Sequence, residues 1–100
     1  MLVKVANKDE IPIGKGKEFN ANGVRIAIFN VNGRYYATEA LCRHQDGPLA
    51  EGKLIGDIIE CPWHFWHYNV RTGELLDFLR DVKLNVYKIE IRDDFIYVEL

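Results

Sequence analysis

Two short clusters of metal-binding residue types dominate the chain: Cys42-Arg43-His44 and, after 16 intervening residues, Cys61-Pro62-Trp63-His64. They contain both of the cysteines and two of the three histidines. A cysteine ligates as a soft, anionic thiolate and a histidine as a neutral imidazole. In each cluster the cysteine precedes the histidine, so each segment can supply one donor of each kind. That pattern suits a [2Fe-2S] centre in which Cys42 and Cys61 hold one iron and His44 and His64 the other. Replacing two of four thiolates by neutral imidazoles removes two negative charges. An added electron is then accommodated more easily, and such centres lie at roughly −150 to +300 mV.

Two other readings use the same residues. A structural zinc site takes two cysteines and two histidines in a tetrahedron, although zinc fingers normally place both cysteines before both histidines. A disulfide between Cys42 and Cys61 is the third. His67 has no cysteine beside it in sequence and reads as a neighbour of the site.

What must position these clusters is a β-framework. Asn22-Gly23 and Asn32-Gly33 are strong hairpin signals, because a type I′ turn needs positive φ at both central residues. Between them Val24, Ile26 and Ile28 alternate with Arg25, Ala27 and Phe29, which predicts a strand with one strongly apolar face. Residues 34–39 return as its partner. Met1 to Val5 alternates as an opening strand, Pro12 and Gly14 mark a loop, and residues 9–11 have room for one helical turn. Asp93-Asp94 turns a final hairpin between the segment ending at Arg92 and Phe95 to Glu99. The stretch from about 41 to 77 differs: glycines and prolines divide it into short pieces. Within it Lys53 to Ile55, Asp57 to Glu60, and Tyr68 to Val70 with Glu74 to Leu76 read as brief strands. The expectation is one domain over residues 1–100, with a cluster-binding unit at about 41–77 inserted in a base of residues 1–40 and 78–100.

Composition narrows the function. A hydrophobic fraction of 48% supports one core in 100 residues. No apolar run is long enough to span a membrane, and the N-terminus lacks the apolar segment of a signal peptide. With no cysteines beyond the two clusters, a cytoplasmic setting is expected. A net charge of −2 leaves no basic footprint for nucleic acid.

Nearly the whole chain resembles Rieske-type ferredoxins, both the ferredoxin components of bacterial ring-hydroxylating oxygenases and stand-alone archaeal forms. The resemblance rests on Arg34-Tyr35-Tyr36-Ala37, on Cys42-Arg43-His44-Gln45-Asp46-Gly47-Pro48-Leu49 with Glu51-Gly52, and on Cys61-Pro62-Trp63-His64. Tyr68-Asn69 and Thr72-Gly73-Glu74 extend it. It implies an all-β fold of three antiparallel sheets, a [2Fe-2S] cluster at the tip, and ligand imidazoles facing solvent. Relatives in respiratory complexes add a bracing cysteine to each loop; this chain has none, which places it with the soluble ferredoxins. The family usually has glycine directly after the second histidine. Phe65 stands there instead, so either a different local backbone or a negative φ is expected.

The same resemblance sets Gln45, Trp63, Trp66 and Tyr68 around the cluster. Trp66 occupies the place of a serine that hydrogen-bonds the cluster in high-potential relatives, whereas Tyr68 keeps the phenol; a potential in the lower part of the range follows. Tyr68 reads equally well as a strand aromatic in the core. His44, His64, Pro48, Leu49 and Phe65 would form the docking rim, and titration of a ligand imidazole would lower the potential at alkaline pH. The implied function is a monomeric one-electron carrier between a flavin reductase and an oxygenase, and no enzyme in its own right. Two alternatives stay open: a redox subunit such as the small subunit of assimilatory nitrite reductase, and a structural zinc-binding module.

Overall fold

The computed structural model describes residues 1–43, 45–63, 65–77 and 79–100. It is all-β, with antiparallel pairing throughout the sheets. The strands are β1 (Leu2–Asn7), β2 (Gly16–Ala21), β3 (Val24–Val31), β4 (Arg34–Glu39), β5 (Lys53–Ile55), β6 (Ile58–Glu60), β7 (His67–Asn69), β8 (Val86–Tyr87), β9 (Ile89–Arg92) and β10 (Phe95–Glu99). Among the described residues they form three sheets: β1-β10-β9, β2-β3-β4-β8 and β5-β6-β7. The helical turn expected near residue 9 is a 3₁₀ turn at Lys8–Glu10, closed at its start by Asn7, whose side chain accepts the Asp9 N–H at 3.0 Å. A second 3₁₀ turn at Leu49–Glu51 lies in a stretch read as loop.

Both Asn-Gly hairpins form as read. Asn22 and Gly23 have φ of 51° and 87°, and Asn32 and Gly33 have 52° and 91°. Each turn is braced by an asparagine two residues earlier: the Gly23 N–H donates to Asn20 Oδ1 and the Gly33 N–H to Asn30 Oδ1, both at 2.8 Å. Such turns fix register, and a slip by one residue would turn every side chain of β3 to the wrong face.

One expectation fails on β3. A single apolar face was expected, yet Ile26, Ala27, Ile28, Phe29 and Asn30 are all buried. The reason is that β3 separates two cores. Ile26 and Ile28 join Ala6, Ile11, Ala21, Ala37, Ile96 and Val98 on the base side. Ala27 and Phe29 face the other way, into a cluster with Leu49, Ile59, Tyr68, Val70, Leu75 and Leu84 that also holds Cys42 and Cys61. Asn30 is tolerated inside because its amide donates to the Ile11 carbonyl at 2.8 Å. The sheet β5-β6-β7 closes this second core, so the cysteines sit on a packed floor.

Candidate metal centre

Cys42 and Cys61 form no disulfide with each other and are 1% and 0% exposed. Each is held by a turn of its own loop. In the first loop the Cys42 N–H donates to the Gly47 carbonyl at 2.8 Å, and the Asp46 N–H returns to the Cys42 carbonyl at 3.0 Å. In the second, the Cys61 N–H donates to the Trp66 carbonyl at 2.7 Å, closing residues 61–66 into a tight loop. The two loops touch at Gly47: a β-carbon there would lie 2.8 Å from Cys61 Sγ and 3.2 Å from Trp63 Cγ. Only glycine lets the first loop come this close. Burial, with Cys42 beside it, pushes the Cys61 thiol up to about 11.

Tyr68 is a fully buried core aromatic whose hydroxyl reaches the first loop. Tyr68 Oη accepts the Arg43 N–H at 3.1 Å and lies 3.3 Å from Cys42 Sγ. Either atom of that pair can donate while Cys42 is a thiol; with Cys42 as a thiolate the phenol is the donor. Burial raises its pKa well above the ordinary value, so it remains a donor.

Arg43 itself turns away to Glu39, whose Oε1 it meets at 3.0 Å from Nε and 2.8 Å from Nη2. The same oxygen accepts the Asn85 N–H, at 2.6 Å. Nothing in the sequence pointed to Glu39, since its partners lie on separate segments.

Phe65 is the main departure from expectation. Its φ is +58°, so the backbone keeps the left-handed conformation that the family gives to glycine, and the phenylalanine adopts it. The ring is 63% exposed, so it escapes crowding but gains little packing. Trp63 is also exposed, at 49%, whereas Trp66 is half-buried against the cysteine-bearing core. Gln45 is exposed, and Pro48 partly so. Leu49 corrects the docking rim: at 0% exposure it packs in the core beside the cysteines and offers no surface. The 3₁₀ turn that begins with Leu49 carries its side chain inward. His44 and His64 lie outside the described residues.

Two close, dry thiols with an oriented hydroxyl suit soft-metal ligation better than any acid–base chemistry. The sequence profile of the Rieske [2Fe-2S] domain matches residues 1–88. The chain belongs to the Rieske [2Fe-2S] family. Its relatives agree along nearly the full length. It is 34% identical over 99 residues to the biphenyl dioxygenase ferredoxin subunit of Pseudomonas sp. strain KKS102, covering 98% of this chain and 91% of that one. Among solved structures, the complex of reduced oxygenase and oxidised ferredoxin in carbazole 1,9a-dioxygenase contains a chain of TM-score 0.88 and 35% identity, with 97% and 91% coverage. The ferredoxin of carbazole 1,9a-dioxygenase from Nocardioides aromaticivorans IC177 superposes with TM-score 0.90 at 26% identity, with 98% and 96% coverage. The cofactor of this Rieske protein is therefore a [2Fe-2S] cluster, and the buried thiol pair fits it. Among the described residues no helix is long and apolar enough to cross a membrane.

Proposed function

We propose that this Rieske protein is a one-electron carrier in which Cys42 and Cys61 hold one iron and His44 and His64 the other, passing electrons from a flavin reductase to an oxygenase. Residues 1–100 act as one domain, with the cluster-binding unit at about 41–77. The observation that carries the reading is the pair of buried thiols brought together where Gly47 meets Cys61 and Trp63. Among the described residues no group of three or more His, Cys, Asp and Glu side chains is arranged to hold a metal ion. In this reading the two motif histidines would complete the donor set.

When bound, a [2Fe-2S] cluster takes up and releases a single electron, at a potential raised by the two neutral imidazole ligands. The protein's own residues set the conditions for that exchange. The core beneath Cys42 and Cys61 excludes water. With Cys42 ligating as a thiolate, Tyr68 would donate to its Sγ and so favour extra negative charge on sulfur. Trp63 and Phe65 present apolar surface on the second loop, suited to a small, transient redox interface below about 1,200 Å². Buried cysteines that form no disulfide fit a reducing compartment, the cytoplasm, and a monomer suits a shuttle.

The test is an EPR spectrum of the dithionite-reduced protein with iron and sulfide analysis of the same sample. A rhombic signal of low average g, with iron equal to sulfide, supports mixed imidazole and thiolate ligation. A colourless, EPR-silent sample containing zinc would overturn the reading.

A further inference from the structure

His67 begins β7, directly after the second loop, and Glu60 ends β6, directly before it; the two face each other in register. The His67 Nε2 lies 3.0 Å from Glu60 Oε2, and its Nδ1 lies 2.7 Å from Asp77 Oδ2. The same Asp77 oxygen accepts the His67 N–H at 2.8 Å, and the Leu76 N–H donates to the His67 carbonyl, also at 2.8 Å. One imidazole therefore joins both stems of the 61–66 loop to the segment that follows β7. It does so from the outer face, while the neighbouring Tyr68 fills the inner face.

A carboxylate can only accept a hydrogen bond, and a neutral imidazole has one N–H to give. Two carboxylates on the two ring nitrogens are satisfied together only by the imidazolium. We propose that the Glu60–His67–Asp77 bridge is a proton-dependent clasp on the second loop, with His67 a positioning residue for the electron-transfer centre. The clasp's link to electron transfer rests on reading Cys61 and His64 as cluster ligands; the clasp itself does not.

The charged groups around His67 are Asp77 on the following segment, Glu60 on β6, and Lys53 on β5, which stands opposite Glu60 in the next register position. The Asp77 hydrogen bond, opposed by burial and helped by Glu60, raises the His67 pKa above its ordinary 6.5. A raised pKa in the folded state means that the clasp contributes fully below about pH 6.5. Its contribution is lost as the pH rises through the folded value, where one nitrogen loses its proton and faces a carboxylate without a donor.

The experiment uses cluster-loaded protein, wild type and His67→Gln, between about pH 6 and about pH 9. Amide hydrogen exchange over residues 61–77, corrected for intrinsic rates, is measured beside the rate of iron loss to a chelator. In the wild type, protection is expected to fall severalfold across a single titration step, with iron loss rising in the same interval. In His67→Gln, which can hydrogen-bond but carries no charge, the step is absent and protection stays at the high-pH wild-type level. Asp77→Asn, which leaves the imidazole in place, moves the step to lower pH. A step that persists in His67→Gln, or none in the wild type, overturns the clasp. An exchange step with no matching change in iron loss overturns its link to the centre.

Discussion

Replacing Tyr68 by phenylalanine removes one oxygen and leaves the ring, which is fully buried, in place. Two partners lose the hydroxyl: the Arg43 N–H at 3.1 Å and Cys42 Sγ at 3.3 Å. The amide is left without its acceptor in a partly buried place, a loss of about 1–2 kcal/mol. For a domain of this size that corresponds to a fall of roughly 5–10 °C in Tm. The sulfur contact acts on the potential. A hydrogen bond to a charged acceptor is stronger by about 1 kcal/mol than one to a neutral acceptor. Only part of that difference accrues when the cluster gains one electron. With 1 kcal/mol equal to about 40 mV for a one-electron couple, the potential of Tyr68→Phe is expected to drop by roughly 10–40 mV. Protein-film voltammetry measures the potential and thermal unfolding the stability, on the same preparation. A lowered Tm with an unchanged potential would falsify the sulfur contact and leave the hydroxyl as a support for Arg43 alone.

Gly47→Ala drives a β-carbon to 2.8 Å from Cys61 Sγ; overpacking of about 1–3 kcal/mol should appear as iron-depleted protein, and full iron loading would refute the close approach of the loops. Phe65→Gly relieves a left-handed conformation worth roughly 1–2 kcal/mol, offset by about 0.5–1 kcal/mol of glycine flexibility, so Tm should hold or rise by a few degrees while turnover with a partner weakens. A clear fall in Tm would show that the phenylalanine ring packs. In cluster-free protein, the Cys61 thiol, pushed up to about 11, should resist iodoacetamide at neutral pH. Unfolded thiols ionise near their ordinary value while folded Cys61 keeps its proton, so the stability of that form should decline above about pH 9. Rapid alkylation at neutral pH, or flat stability up to pH 11, would contradict the burial argument.

How much could be read from the sequence depended on whether the signal was local. The Asn-Gly turns and the Cys-x-His and Cys-Pro-Trp-His clusters are local, and turns, strands and family followed from them. The inward turn of Leu49 was not legible, because an exposed loop and a 3₁₀ turn over a core share the same residue types. The burial of β3 on both faces was hidden for a related reason: Ala27 and Phe29 are apolar, but only the return of β5-β6-β7 gives them a floor. The carboxylates on His67 come from positions 60 and 77, and no spacing rule joins them. At Phe65 residue preference points the wrong way. Residue preference argued against positive φ, but the hydrogen-bonded closure of the 61–66 loop outweighs a local preference of about 1–2 kcal/mol.

The position of β3 between two cores bears on how the molecule comes apart. A strand whose alternate side chains anchor separate hydrophobic clusters cannot leave one without abandoning the other, so base and floor melt as a single cooperative unit. The loop closures at Cys42–Gly47 and Cys61–Trp66 join that unit through Cys42 and Cys61, which belong to the second cluster. With both cysteines in that core, a chain stripped of its cluster would keep the thiol pair, the template on which a new one is built, for as long as the scaffold stays folded.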